Sequence, residues 1–225
     1  MKNSSFYTGR SMLQAFVITL GCFVLALTTY VTVEPFFANA ATSQSVAVTL
    51  DVTSGIAVNV NSNSAHMSTN LGVAQDTAVG TSTFTVETND GNGYTLNVAA
   101  ATNPAMKSGS NSISNFPNSS SPELWSSGLP SSGAVFGFSV IGKDASPSSS
   151  YWGSGNYCNG SATSTVSSTL KYSGFSTAGT TTAKSTSTTT PAGDSTVICY
   201  AVQQNNFYIP AGAYTANITG TAVAN

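Results

Sequence analysis

Charge is the scarcest property of this 225-residue chain, since only 6% of its residues are Asp, Glu, Lys or Arg. Beyond residue 40 the chain has four Lys, no Arg and seven acidic residues, which gives a net charge of −3. Nucleic-acid binding depends on clustered Lys and Arg that replace phosphate counterions. Four scattered Lys do not form such a cluster, so we predict that nucleic acid is not a partner.

Histidine is almost absent as well: His66 is the only one, and it lies in the turn-rich stretch NSNSAHMSTN. A single His does not provide the usual ligands of zinc, and no G-x-S-x-G motif marks a nucleophile. The acidic residues are scattered, whereas a glycosidase needs two of them in one cleft. A Ser-His-Asp triad stays open, because such triads are assembled in space. We predict a protein that is not an enzyme and that holds no cofactor or metal ion.

The first 40 residues have the features of an export signal. Lys2 and Arg10 precede and flank a strongly apolar stretch, and Ala38 and Ala40 form the small-x-small pattern that signal peptidases cleave. We therefore predict a cleaved signal peptide over residues 1–40.

The alternative is an uncleaved anchor, because residues 11–33 carry no charge and about 20 apolar residues are enough to span a bilayer. The basic residues at the N-terminus would then face the cytoplasm. In both cases residues 41–225 form one extracellular or cell-surface domain, which fits the usual size of a domain. We expect membrane contact only through residues 11–33, and only if this segment is retained.

Two cysteines follow the predicted signal, Cys158 and Cys199, and they form an even pair. Exported proteins fold in oxidising compartments, where disulfides form and persist. We predict a Cys158–Cys199 disulfide, which on the chain-entropy model stabilises the fold by about 4 kcal/mol. Two buried free thiols are the alternative.

The apolar residues beyond the signal alternate with polar ones at a period of 2, and no helical period is present. The alternating runs are 45–52, 82–88, 94–100, 134–141, 195–204 and 213–223, with weaker runs at 54–60 and 168–173. The run 134–141 is apolar on both faces, which is typical of a central strand, and Gly137 within it indicates a bulge or close packing. These patterns predict an all-β fold: an antiparallel, Ig-like β-sandwich preceded by an N-terminal signal or anchor helix.

Residues 89–93, Asn-Asp-Gly-Asn-Gly, are the most ligand-like cluster of the chain. They join two alternating runs, and Asp-Gly and Asn-Gly steps are typical of hairpin turns. A calcium site needs six to eight oxygen ligands, and the EF-hand spacing fails because Tyr94 and Ala101 would take ligand positions. We predict a hairpin connection, with calcium binding as the alternative.

Three long Ser/Thr-rich segments separate the predicted strands: residues 107–133, 143–168 and 176–195. Four aromatic residues stand in them among Ser, Asn and Gly: Trp125, Tyr151, Trp152 and Tyr157. Exposed rings of this kind stack on sugars, so the four are candidate glycan-binding residues for a cell-wall or host glycan. The alternative is that they pack against the ends of the sandwich or over the Cys158 bridge.

The final stretch FYIPAGAYTANITGTAVAN resembles the last hairpin of bacterial cell-surface β-sandwich proteins, including those with WxL-type domains. The stretches SVAVTLDVTSGIAVNV and TNDGNGYTLNV are similar to that group as well. The resemblance covers about a third of the predicted mature chain and implies an Ig-like fold at a bacterial surface. The Trp-x-Leu pair itself is missing, since only Leu124-Trp125 occurs, so peptidoglycan binding of the WxL kind is not implied.

These observations favour a structural or adhesive surface protein, such as a subunit of a coat or fibre. The second hypothesis is a carbohydrate-binding module that uses the loop aromatics. Residues 45–52 and 213–223 lack the Pro, Lys or bulges that usually protect edge strands. One of them could therefore pair with another copy of the chain. The alternative is that both strands are paired within one chain.

Overall fold

The structure is a computed structural model in which the chain divides into two compact units, Met1–Asp51 and Val52–Asn225. The residues that it describes are 8–33, 47–62, 64–118, 121–155, 157–158 and 165–225. The predicted cleavage site at Ala38 and Ala40 lies outside the described residues.

The first unit contains one helix, α1, which spans Thr8–Val33. Among the described helices, none is long and apolar enough to cross a membrane. Residues 47–51 belong to no helix or strand. The predicted strand at 45–52 is therefore wrong for its described part, because alternation by itself does not form a strand without a neighbouring strand to pair with.

The second unit is built from strands. The strands are β1 Ile56–Val60, β2 Thr77–Thr88, β3 Tyr94–Ala100, β4 Met106–Ser108, β5 Asn111–Asn115, β6 Glu123–Leu124, β7 Gly133–Ile141, β8 Lys171–Tyr172, β9 Thr180–Lys184, β10 Asp194–Asn205 and β11 Ile218–Ala224. The described chain is therefore mostly β, which confirms the predicted β-rich fold in its coarser form. Strand β9 lies inside the Thr-rich segment 176–195 that we predicted to be a loop, because β-branched Thr is a good strand former.

The strands form three sheets. The large sheet has the order β1-β2-β10-β7-β5-β4, the small sheet has the order β11-β3-β9, and β6 pairs with β8. All pairs between described strands are antiparallel except β5 with β7, which is parallel. The prediction of a purely antiparallel fold is therefore wrong for this pair. Strand β7 lies between β10 and β5, which confirms its predicted central position.

The main core lies between the large and the small sheet, and the arrangement is sandwich-like. Phe84 and Val86 of β2 and Tyr94, Leu96 and Val98 of β3 are all buried in it, as their alternation predicted. A second, smaller apolar cluster covers residues of β7 and β10 outside this core, among them Val135 and Cys199. The central strands are therefore buried on both faces, which explains why the run 134–141 is apolar throughout.

Residues 89–93 connect the two main sheets and do not form a hairpin, because β2 lies in the large sheet and β3 in the small one. The hairpin prediction is wrong for this reason. The turn does need its glycine. Gly93 has a φ of +79°, and a Cβ there would lie 2.3 Å from the backbone oxygen of Ser185. The residue types of a turn specify a local bend, but not whether the two flanking strands pair with each other.

Candidate functional site

The two tryptophans predicted as glycan-binding candidates are buried. The ring of Trp125 stacks on Phe116 with centroids 4.8 Å apart, and its indole N–H donates to the Gln203 side chain at 2.7 Å. Trp152 packs against Phe138, and its indole N–H donates to the backbone oxygen of Ser146 at 2.8 Å. Both ring faces and both polar groups are therefore engaged inside the protein.

The other two candidates do not complete a binding platform. Tyr151 is half-buried and meets Trp152 edge-on. Tyr157 is 77% exposed and is the one ring of the four that a sugar could reach freely. Its neighbour Cys158 is bonded to Cys199 of β10, which confirms the predicted disulfide. Glycan binding through all four rings stays a prediction, and the structure does not bring them together on one surface.

The N-terminal arm, residues 47–52, is the most exposed apolar segment described outside the helix. Val48 is 89% exposed, Leu50 84% and Val52 75%. They alternate with Ala47, Thr49 and Asp51, so an extended arm would present all three aliphatic side chains on one face. The arm therefore has the side-chain pattern of a half-buried strand but has no partner strand among the described residues.

The root of the arm, residues 53–55, is held by what we call the clamp, residues 88–90. The Asn89 side chain accepts a hydrogen bond from the Gly55 N–H at 2.7 Å and donates to the Thr53 backbone oxygen at 2.9 Å. Ser54 Oγ donates to Asp90 Oδ2 at 2.9 Å. Thr88 Oγ1 donates to the Gly55 oxygen at 2.9 Å. The Asn-Asp pair that resembled a calcium ligand set thus holds the root of the arm.

The carboxylate of Asp90 is already used within the protein. Its Oδ1 accepts the Asn92 backbone N–H at 2.8 Å, and this bond, followed by the one from Ser54, holds the pKa of Asp90 below its usual value. The described residues contain no group of three or more His, Cys, Asp or Glu side chains placed to hold a metal ion. The arrangement supports a structural role for the acidic turn.

An open groove with a volume of about 810 Å³ lies at the other end of β1. Its floor is the inner face of the large sheet, from β2 to β4: Ala78, Ser82, Phe84, Met106, Ile113, Phe136, Tyr200 and Val202. Its other lining residues come from two segments. The first lies within residues 60–71, from the end of β1 onward, and the second is 209–218, which leads into β11. The large sheet has six strands and the small sheet has three, so the small sheet covers only part of the inner face of the large one. Segments without regular strands cover the rest of that face, and the groove lies between them.

Among the described residues that line the groove, none is Asp, Glu, Lys or Arg, so its polar groups are mostly uncharged. Ser82 Oγ and the Tyr200 hydroxyl lie 2.7 Å apart on the floor, and burial raises the pKa of Tyr200. His66 lines the groove and its Nε2 is 3.0 Å from Ser64 Oγ. This set lacks a carboxylate to orient the histidine, so it does not form a catalytic triad.

A charged cluster that the sequence did not reveal lies at the start of β10. Lys143 Nζ is 2.6 Å from Asp194 Oδ1, and Asp194 is only 5% exposed. The hydroxyl of Tyr94 donates to Asp144 at 3.2 Å. Burial, together with the charge of Asp194, raises the pKa of Asp144, although Lys143 opposes this shift. The ion pair connects the turn after β7 to β10, and we assign it a structural role.

Comparison with known proteins yields no match: no family model, no curated protein and no solved structure is similar to this chain. The resemblance to WxL-type surface proteins stays a prediction that depends on turn and strand residues alone.

Proposed function

We propose that this protein is an exported structural subunit of a bacterial surface, an Ig-like β-sandwich that assembles with copies of itself into a coat or fibre. The observation that carries the proposal is the N-terminal arm with its three exposed aliphatic residues. The disulfide between Cys158 and Cys199 supports an oxidising location outside the cytoplasm. The chain's uncharged polar composition and the lack of a carboxylate beside His66 among the described groove residues favour a structural role over an enzymatic one.

The arm favours assembly because its exposure is unfavourable in an isolated copy. Full burial of a Val or Leu side chain contributes about 1.5–3 kcal/mol, so an unpaired arm leaves several kcal/mol of hydrophobic stabilisation unused. Addition of the arm to a sheet would also supply main-chain hydrogen bonds. A contiguous apolar face of this kind is typical of an interaction segment.

Strand β1 adds a second open element. It forms an edge of the large sheet, and all five of its residues, Ile56–Val60, are exposed. It contains no charged residue and no Pro, which are the features that usually protect an edge strand from pairing with other chains. The part of the molecule next to the arm is therefore open to further pairing as well.

The proposal predicts that Leu50→Asp prevents assembly without unfolding the sandwich, since Leu50 is exposed and a buried charge at an interface is strongly unfavourable. Thr49→Asp is the matched control, because it adds the same charge to the opposite face of the arm. Sedimentation of the full chain in mild detergent, with electron microscopy of the pellet, measures assembly. A chain that stays monomeric at high concentration, or that assembles equally well with Leu50→Asp, contradicts the proposed function.

A further inference from the structure

The root of the arm and the groove lie at opposite ends of β1. Gly55, held by the clamp, directly precedes this strand, whereas Val60 at its end lines the groove. Five strand residues separate the two features by about 17 Å. Strand β2 runs alongside in the opposite direction, with Phe84 in the groove and Thr88 in the clamp. Each copy therefore presents a donor segment at one end and an open cavity at the other.

The groove and the arm are both poor in charge. None of the described residues that line the groove is Asp, Glu, Lys or Arg, and its floor residues Phe84, Phe136 and Val202 are buried beneath other side chains. The arm carries a single charge, on Asp51, and the alternation places this residue on the face opposite Leu50. An arm that lies in the groove with its aliphatic face turned inward would keep its only charge in water.

The groove also offers backbone groups for a strand. The N–H and C=O of Thr215 both bond to Lys107 of β4. In an extended chain the backbone groups of neighbouring residues point to the other side. Within the described chain, Tyr214 and Ala216 make no backbone-to-backbone hydrogen bond, and both line the groove. Residues 213–217 thus have one edge paired and one edge open toward the cavity.

The clamp favours a second copy over the chain's own arm as the occupant. Residues 53–55 lead into β1 at the end away from the groove. The clamp holds these three residues through Asn89, Asp90 and Thr88. A change in their conformation would break those bonds, whereas binding of the arm by a neighbouring copy leaves them intact.

We propose that residues 47–52 of one copy lie in the groove of a second copy as an added strand beside residues 213–217, with Val48, Leu50 and Val52 facing into the groove. This inference rests on the proposed self-assembly and identifies the partner site. Because the arm of one copy binds the groove of the next, the two copies use different surfaces and the contact is heterologous. Such contacts extend into open chains unless the rotation between copies closes a ring.

Disulfide trapping tests the pairing on the full chain. Leu50→Cys and Ala216→Cys are combined in a chain in which Cys22, an exposed free thiol, is replaced by Ser. We expect a ladder of linked multimers under non-reducing conditions that collapses to the monomer on reduction. A mixture of the two single-cysteine variants should give dimers in which mass spectrometry finds the peptide of residue 50 joined to that of residue 216.

Two controls sharpen the result. Thr49→Cys with Ala216→Cys places the thiol on the opposite face of the arm, and Leu50→Cys with Leu124→Cys places the acceptor at an exposed site outside the groove. Both pairs should lose the ladder. An intramolecular link between residues 50 and 216 would overturn the proposal, since the arm would then lie in its own groove. Assembly that Leu50→Asp abolishes, but without any link to residue 216, would overturn the groove while leaving self-assembly in place.

Discussion

Two regions of this chain have the same alternating pattern of side chains, but one region is exposed and the other is buried. Val48, Leu50 and Val52 of the arm are 75–89% exposed, whereas Leu96 and Val98 of β3 are completely buried. Both segments alternate aliphatic and polar residues over six or seven positions. Strand β3 is paired on both sides, by β11 and β9, and the arm has no described neighbour. Alternation thus specifies which face of a segment will be buried, but not which chain provides the surface that buries it.

The largest effect should separate the two regions directly. Leu96→Ala removes a fully buried side chain, so we expect the free energy of unfolding to fall by about 2–5 kcal/mol. Leu50→Ala should change it by no more than about 0.5 kcal/mol in dilute, monomeric protein, because exposed substitutions have small effects. Denaturant unfolding of both variants measures the difference. Similar losses in the two variants would show that the arm is part of the core of one copy.

The disulfide should matter to the sandwich and not to the arm. Replacing Cys158 and Cys199 together by Ala opens a loop with a sequence separation of 41 residues, and we expect a loss of about 2–4 kcal/mol in stability. Below the melting temperature, assembly through the arm should persist. Thermal unfolding and sedimentation of the same variant test both statements, with Cys22→Ser as the control. Loss of assembly by a folded double variant would contradict the separation of the two regions.

A smaller effect should come from the clamp, which holds residues 53–55. Asn89→Ala removes two hydrogen bonds to the root of the arm, each contributing about 0.5–1.5 kcal/mol. We expect weaker assembly and a small loss of stability. Asn92→Ala is the control in the same turn, because the bonds of Asn92 to Asp90 and Asn225 are made by its backbone N–H and oxygen and stay when the side chain is shortened.

The same turn gives a metal test. Calcium and a chelator should both leave the melting temperature unchanged, because the oxygens of Asp90 are occupied by hydrogen bonds from Asn92 and Ser54. A ligand that binds only the native state raises its stability. A rise of several degrees with calcium would show that the turn binds metal after all.

The faces of the strands and the disulfide were predictable from the sequence because they depend on local periodicity and on cysteine count. Phe84, Val86 and Leu96 lie on the buried face that the period of 2 assigned to them. Gly137 is closely packed as expected, since a Cβ there would lie 2.6 Å from the Cβ of Phe116. These features need no knowledge of which strands are neighbours.

The features that could not be predicted depend on long-range pairing. Residues 89–93 have the composition of a hairpin turn, but their flanking strands pair elsewhere, with β10 and β11 among others. The parallel contact of β5 with β7 has no local signal. Trp125 and Trp152 follow polar loops in sequence, yet the second core cluster and the end of the first one bury them. The groove arises from a difference in sheet width, which no single segment encodes.

The position of β10 in the large sheet sets the order in which this protein can form as it is made. Residues 194–205 lie between β2 and β7, so these two strands are joined only through a strand near the C-terminus. The small sheet likewise gains its edge from β11, which ends at Ala224. Strands β1 and β2 on one side of β10, and β7, β5 and β4 on the other, therefore stay unjoined within the described sheet until residues 194–205 have been made.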